Sequence, residues 1–131
     1  MASIRKEITL SSPAADVWDA LSDFGAVASR VAPGFALSSR LEGNVRIVKF
    51  ANGAEAAETL VSRDDQKRRL VYAIVGGRIA HYNAAIQVIP ERDGCALVWT
   101  IDLLPDDFAG YIEAQMDAAL IAMKRTLEKV S

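Results

Sequence analysis

His81 is the only histidine in the chain, and so the only side chain whose ordinary pKa lets it exchange a proton near neutral pH. In the strand that begins beside it, His81, Asn83 and Gln87 share one parity, while Tyr82, Ala84, Ile86 and Val88 share the other. In the strand that follows, Thr100 and Asp102 alternate with Leu97, Trp99, Ile101 and Leu103. A hairpin turn over residues 91–94 puts both apolar sets on one face of a sheet and both polar sets on the other. His81 and Asp102 then stand on adjacent strands, where they could act together as a general base. Their face points away from the core, so the pattern predicts an exposed or half-exposed His81. Only a register slip at Pro90 or a bulge near Gly76-Gly77 would turn it inward.

Arg46 and Glu58 fall on successive strands among apolar neighbours. A buried charge is costly unless paired, so if both point inward each satisfies the other. Two readings follow. The pair could be a polar anchor for a carbonyl or carboxylate at a cavity floor, with the Tyr72 hydroxyl as a further donor, or an internal ion pair that fixes strand register. Together with His81, they are the residues able to move a proton. Trp99, on the same parity as Tyr82, could wall a cavity roofed by Met116, Leu120 and Met123, since methionine adapts to irregular shapes. Phe24, Val27, Phe35 and Phe50 would complete its rim, whereas Trp18 reads as core. No nucleophile motif, glycine-rich phosphate loop or metal-ligand cluster accompanies these residues, so no metal and no cofactor is expected.

The elements that must position these residues are legible from periodicity. Ile4–Leu10 alternates as a first strand. Ser12 and Pro13 suit the cap and first position of a helix that puts Val17, Trp18 and Leu21 on one face. A short helical turn over residues 24–31 follows and ends before Pro33-Gly34. From Phe35 to Leu104, turn residues at 42–44, 52–53, 63–66, 76–77 and 91–94 divide the chain into six antiparallel strands. After Pro105 the spacing of Phe108, Ile112, Met116, Ala119 or Leu120, Met123, Leu127 and Val130 is helical. Asp106 and Asp107 at its start and Lys124, Arg125 and Lys129 near its end suit the macrodipole. Roughly 24 residues at 1.5 Å each make a helix about 36 Å long. Such a helix cannot touch a twisted, concave sheet along its whole length, and a gap between them is expected.

Composition bounds the remaining possibilities. The chain has 131 residues, 15 Lys and Arg against 17 Asp and Glu, and a formal net charge of −2. Residues 1–131 read as one domain with no repeat or linker. The charge lacks the positive field that nucleic-acid binding requires. Lys67-Arg68-Arg69 follows Asp64-Asp65 and reads as a solvated turn. The one cysteine, Cys95, suits a buried strand start and can form neither an internal disulfide nor a multi-cysteine site. With no apolar leader and no run long enough to insert into a membrane, a soluble, cytoplasmic protein is expected. An exposed edge strand would allow a weak homodimer beside the monomer.

This α+β order, a strand, two short helices, six strands and a long C-terminal helix, resembles the START-like or SRPBCC superfamily. In its helix-grip fold, a seven-stranded antiparallel sheet wraps around the C-terminal helix. Residues 12–24 look like the family's opening helix. Val45-Arg46, Glu58 with Leu60, Tyr72 and Val98-Trp99 look like recurrent positions of its bacterial polyketide cyclase/dehydrase-like branch. Ser29-Arg30-Val31 departs from the Trp that many members carry after the second helix. The resemblance implies a cavity for a hydrophobic, ring-containing small molecule and leaves the function to be argued from the site. Three functions fit: a carrier or sensor that binds such a ligand, a polyketide cyclase or dehydratase using general acid/base chemistry in the same cavity, and a protein-interaction module with a filled core.

Overall fold

The structure is a computed structural model in which residues 1–128 are described. Lys129 and Val130, expected at the end of the last helix, lie outside the described residues. Strand β1 (Ala2–Leu10) leads into helix α1 (Ala14–Ser22) and a single π-helical turn (Val27–Val31). Six strands follow: β2 (Ala36–Glu42), β3 (Val45–Phe50), β4 (Glu55–Asp64), β5 (Arg69–Ile74), β6 (His81–Glu91) and β7 (Gly94–Leu104). A 3₁₀ turn (Asp106–Phe108) then introduces helix α2 (Ala109–Leu127). The sheet is antiparallel in the order β1-β7-β6-β5-β4-β3-β2, and it grips α2 in the helix-grip manner.

Pairing follows the sequence parity. Tyr82, Ala84, Ile86 and Val88 lie opposite Leu103, Ile101, Trp99 and Leu97, and all eight are buried. The β6–β7 hairpin turns tightly enough that Glu91 still pairs with Gly94. In β4 a bulge between Leu60 and Ser62 leaves Val61 outside the ladder to β5. Val61 is therefore exposed although it sits mid-strand, and the extra residue adds to the bend that lets the sheet curl around α2.

Three local expectations are corrected. The N-cap position of α1 falls on Pro13, one residue after Ser12, and carries no side-chain hydrogen bond. The Ser12 hydroxyl donates to the Leu127 carbonyl. The short helical turn spans Val27–Val31 and not 24–31, because the chain leaves helical geometry at Asp23, the cap of α1. Asp106 and Asp107 belong to the 3₁₀ turn, and α2 itself begins at Ala109. By contrast, Cys95 is buried at the start of β7, and Trp18 is buried with its indole N–H donating to Asp65 at 3.1 Å.

Helix α2 is fastened along one edge of the sheet. Lys6, on the inward parity of edge strand β1, donates to Glu113 at 2.7 Å and pairs with Asp117 at 3.1 Å. Lys124 donates to the Thr9 carbonyl at 2.7 Å. The Ser11 backbone N–H and hydroxyl both donate to the Glu128 carboxylate, at 3.1 and 2.9 Å. These ties run the length of the helix on its β1 side, so the space left by the curvature opens toward β3, β4 and β5.

Two measurements check this packing. At Gly94, with φ 151°, an added Cβ would stand 1.9 Å from the Leu10 carbonyl oxygen. Gly94→Ala should therefore cost about 3 kcal/mol and lower Tm by about 10 °C; an unchanged Tm would mean that β1 and the hairpin are not so closely packed. The Ser11 hydrogen bonds hold the Glu128 carboxyl below its ordinary range. A depressed folded-state pKa stabilises above the unfolded value and loses its effect as pH falls through the folded one. The Tm advantage of the native chain over Glu128→Gln should thus be full at neutral pH and vanish in acid.

Candidate functional site

Alternation sends one set of side chains inward from each central strand: Arg46 and Val48 from β3, Glu58 from β4, Leu70 and Tyr72 from β5, Tyr82 and Ile86 from β6, and Trp99 and Ile101 from β7. Opposite them, Ile112, Met116, Ala119 and Met123 form one stripe of α2. Between the two surfaces lies a cavity of about 450 Å³, within the range that holds a small organic ligand. Val27, Val31 and Phe35 close one side, with Phe50 packed on Phe35.

Arg46 and Glu58 are direct cross-strand neighbours, each only 6% exposed. The Arg46 Nε donates to Glu58 Oε1 at 2.6 Å, and one guanidinium nitrogen donates to the Phe24 carbonyl at 3.3 Å. The guanidinium lies between two rings, 4.1 Å from the Phe24 centroid and 4.6 Å from that of Tyr72. Ion pairing, a backbone acceptor and two aromatic faces together compensate for the loss of water around these charges. The floor of the cavity is polar and electrically balanced.

Around this pair stand groups that offer protons. Burial pushes the Tyr72 hydroxyl far above its ordinary pKa, and the Glu58 charge adds to that, outweighing the opposing effects of Arg46 and Trp99. The Tyr82 hydroxyl is raised for the same first reason, with Tyr72 and Glu58 contributing. Both remain protonated and can donate at neutral pH. The Trp99 indole nitrogen is buried and has no hydrogen-bond partner among the described residues, although it lies near enough to the Tyr72 oxygen to favour its anion. At the mouth, Asn52 donates to the Tyr111 hydroxyl at 3.0 Å, tying the β3–β4 turn to α2. The β5–β6 connection, with Gly76, Gly77 and Arg78, forms the opposite lip.

Of the residues singled out from sequence, Val27, Phe35, Arg46, Phe50, Glu58, Tyr72, Tyr82, Trp99, Met116 and Met123 line this cavity. Phe24 does not. Its ring is packed against the Arg46 guanidinium and so forms a layer behind the wall. Leu120 is buried but belongs to the flank of α2 that carries Glu113, Asp117 and Lys124 toward β1, and Ala119 takes the cavity position. His81 is exposed because its neighbour Tyr82 takes the inward parity. No dyad forms: His81 lies opposite Leu104, while Asp102 accepts from the Ser3 hydroxyl at 2.6 Å. Sequence reading missed the lip at residues 75–79, for which the available signal was an apolar pair, Val75 and Ile79, flanking two glycines. It also missed Tyr111 and Gln115, which no periodicity separates from ordinary surface positions.

Three comparisons place this geometry among known proteins. The family described as polyketide cyclase / dehydrase and lipid transport matches residues 1–128. No curated protein sequence matches the chain. Among solved structures, a protein from Thermobifida fusca is 30% identical with a TM-score of 0.78, over 97% of this chain and 91% of that one. An uncharacterised Bacillus thuringiensis protein has a TM-score of 0.84 at 19% identity, over 96% of this chain and 98% of its own. Norcoclaurine synthase from Thalictrum flavum, in complex with dopamine and hydroxybenzaldehyde, has a TM-score of 0.71 at 18% identity, over 95% of this chain and 84% of the synthase. The latter two are similar to the chain in fold.

The ion pair can be tested by breaking it from one side. Arg46→Met leaves the Glu58 carboxylate buried without its partner and should cost about 3–5 kcal/mol in urea unfolding. Adding Glu58→Leu should recover most of that loss. Equal destabilisation in the single and double variants would show that the charges do not depend on each other.

Proposed function

The chain belongs to the polyketide cyclase / dehydrase and lipid transport family, and from that premise we propose that it is a carrier or sensor that holds a hydrophobic, ring-containing small molecule between the sheet and α2. The observation that carries this reading is the cavity itself, about 450 Å³ and walled mainly by Val48, Leu70, Ile86, Ile101, Ile112 and Met116. An apolar enclosure of that size with a few polar groups suits a ligand whose rings displace water from the walls. The synthase neighbour, in complex with two single-ring aromatic compounds, supports a ring-sized ligand in this fold.

Binding is favoured over a cyclase or dehydratase reaction by the state of the polar groups. General acid/base turnover needs a group that both takes and returns a proton near working pH. The Glu58 carboxylate is held by Arg46, the Tyr72 and Tyr82 hydroxyls hold their protons, and His81 is exposed outside the cavity. These groups are suited to orienting a ligand and not to exchanging protons with it. A filled-core interaction module is disfavoured by the open volume.

N-Phenyl-1-naphthylamine, an uncharged fluorescent ring compound, provides a direct test. Its emission should rise and saturate at one equivalent on titration into the native protein. Ala119→Trp places an indole in the cavity and should weaken binding at least about tenfold, with a cooperative melt retained. Unchanged binding to a folded Ala119→Trp protein would place the probe elsewhere and overturn this reading.

A further inference from the structure

Strand β1 closes one end of the sheet and has β7 as its single neighbour. Every second residue of such an edge strand directs its backbone N–H and C=O away from the sheet. β1 is nine residues long, pairs with β7 without a bulge, and contains neither glycine nor proline. Among the described residues, the one hydrogen bond that an element other than β7 makes to its backbone runs from Lys124 to the Thr9 carbonyl. The other edge, β2, is shorter, shifts register between Ala36 and Ser38, and is tied through the Ser39 hydroxyl to Gly25 and Ala28. An open, regular edge is a template for a further strand, and the sequence of β1 says which strand fits. We propose that β1 is the interface of a homodimer, pairing antiparallel with β1 of a second copy about a two-fold axis at Lys6, so that the two sheets continue into one.

Charge selects the axis. With it at Lys6, Arg5 lies opposite the partner's Glu7, Ile4 opposite the partner's Ile8, and Ser3 opposite the partner's Thr9. An axis at Arg5 would set Arg5 against its own copy, and one at Glu7 would do the same to Glu7. Like charges directly opposite weaken a ladder and opposite charges support it. Within one chain Arg5 and Glu7 touch along the strand at 3.2 Å, both of them exposed, so pairing gathers four charges of alternating sign. The like charges that this axis brings together are the two Lys6 side chains. Each is already drawn over α2 by two carboxylates, Glu113 at 2.7 Å and Asp117 at 3.1 Å, which leaves a surplus negative charge on both sides of the axis to hold the partner's ammonium. On α2, Ile121 stands one turn from Asp117 and is 64% exposed, an apolar side chain on the flank that the partner's helix approaches. The same patch serves both copies, as a two-fold interface requires.

Sedimentation velocity checks the interface and its register together. The mass of the native protein should rise from that of one chain toward that of two between about 10 µM and about 1 mM, the range of a small, polar contact. Arg5→Glu and Glu7→Arg each set like charges against each other on both sides of the axis and should each weaken the dimer at least about tenfold. Mixed in equal amounts, the two variants should recover it, because one then supplies only carboxylates at these positions and the other only guanidinium groups. Both residues are exposed and outside the cavity lining, so each variant should melt as the native chain does and bind N-phenyl-1-naphthylamine with unchanged affinity. Amide exchange gives a readout that needs no substitution: in the native protein it should slow in β1 as concentration rises and stay constant in β2. A native chain that remains monomeric over this range, protection that appears in β2 in place of β1, variants that dimerise as the native chain does, or a mixture that fails to recover the dimer would each overturn the proposal.

Discussion

The buried pair of Arg46 and Glu58 is the constraint around which the site is arranged. Two opposite charges on adjacent strands hold each other at 2.6 Å only if β3 and β4 pair with Arg46 facing Glu58, as they do. A slip of one residue would turn either charge outward and bring Ile47 or Ala57 to the cavity floor. The pair therefore ties strand register to the chemistry of the floor. It also reaches beyond the sheet: through the Phe24 carbonyl and ring, Arg46 holds the segment after α1 against the sheet, and through Tyr72 it orders the neighbouring strand.

The cavity arises because α2 is tied by polar contacts almost wholly on one side. Its polar ties run to β1 and the residues just after it, through Lys6, Thr9, Ser11 and Ser12. On the opposite side, only the exposed Asn52–Tyr111 contact bridges the helix to the sheet's far half among the described hydrogen bonds. A strongly curved sheet and a straight helix in contact along one line must diverge away from it. The volume remains on the side away from those ties, bordered by residues of β3, β4 and β5.

Much of this was legible in the sequence, for reasons that differ by element. The six strands from Phe35 to Leu104 declared themselves because turn residues punctuate them and one face alternates cleanly in β6 and β7, and those same parities placed Tyr82 and Trp99 inward and His81 outward. The inward pair was readable because charges among apolar neighbours have few other places to go. What failed was local capping and azimuth. Ser12 has the right type for a cap, yet the N-cap falls one residue later on Pro13, and the Ser12 hydroxyl donates to the Leu127 carbonyl, more than a hundred residues away. Leu120 and Ala119 both fit the helical stripe, and the choice between them depends on the rotation of α2, which the Lys6 and Lys124 ties set. Phe24 was assigned to the rim by residue type, whereas the guanidinium of Arg46 holds it in a deeper layer. In each case a tertiary partner outweighed a correct local preference.

The balance of donors and acceptors says more about such a cavity than its walls do. Apolar walls accept any ligand of suitable size, and the fold accommodates carriers and enzymes alike. Here the buried carboxylate of Glu58 is occupied by Arg46, while the Tyr72 and Tyr82 hydroxyls line the same cavity and tip its balance toward an excess of donors. Burial keeps the two hydroxyls protonated, so that excess persists across the physiological pH range. The other carboxylate that lines the cavity, Glu55, is exposed, so the charged groups held deep among the walls are the paired Arg46 and Glu58. With its buried carboxylate engaged and its phenols protonated, the floor of the cavity presents groups that can orient a bound molecule through hydrogen bonds.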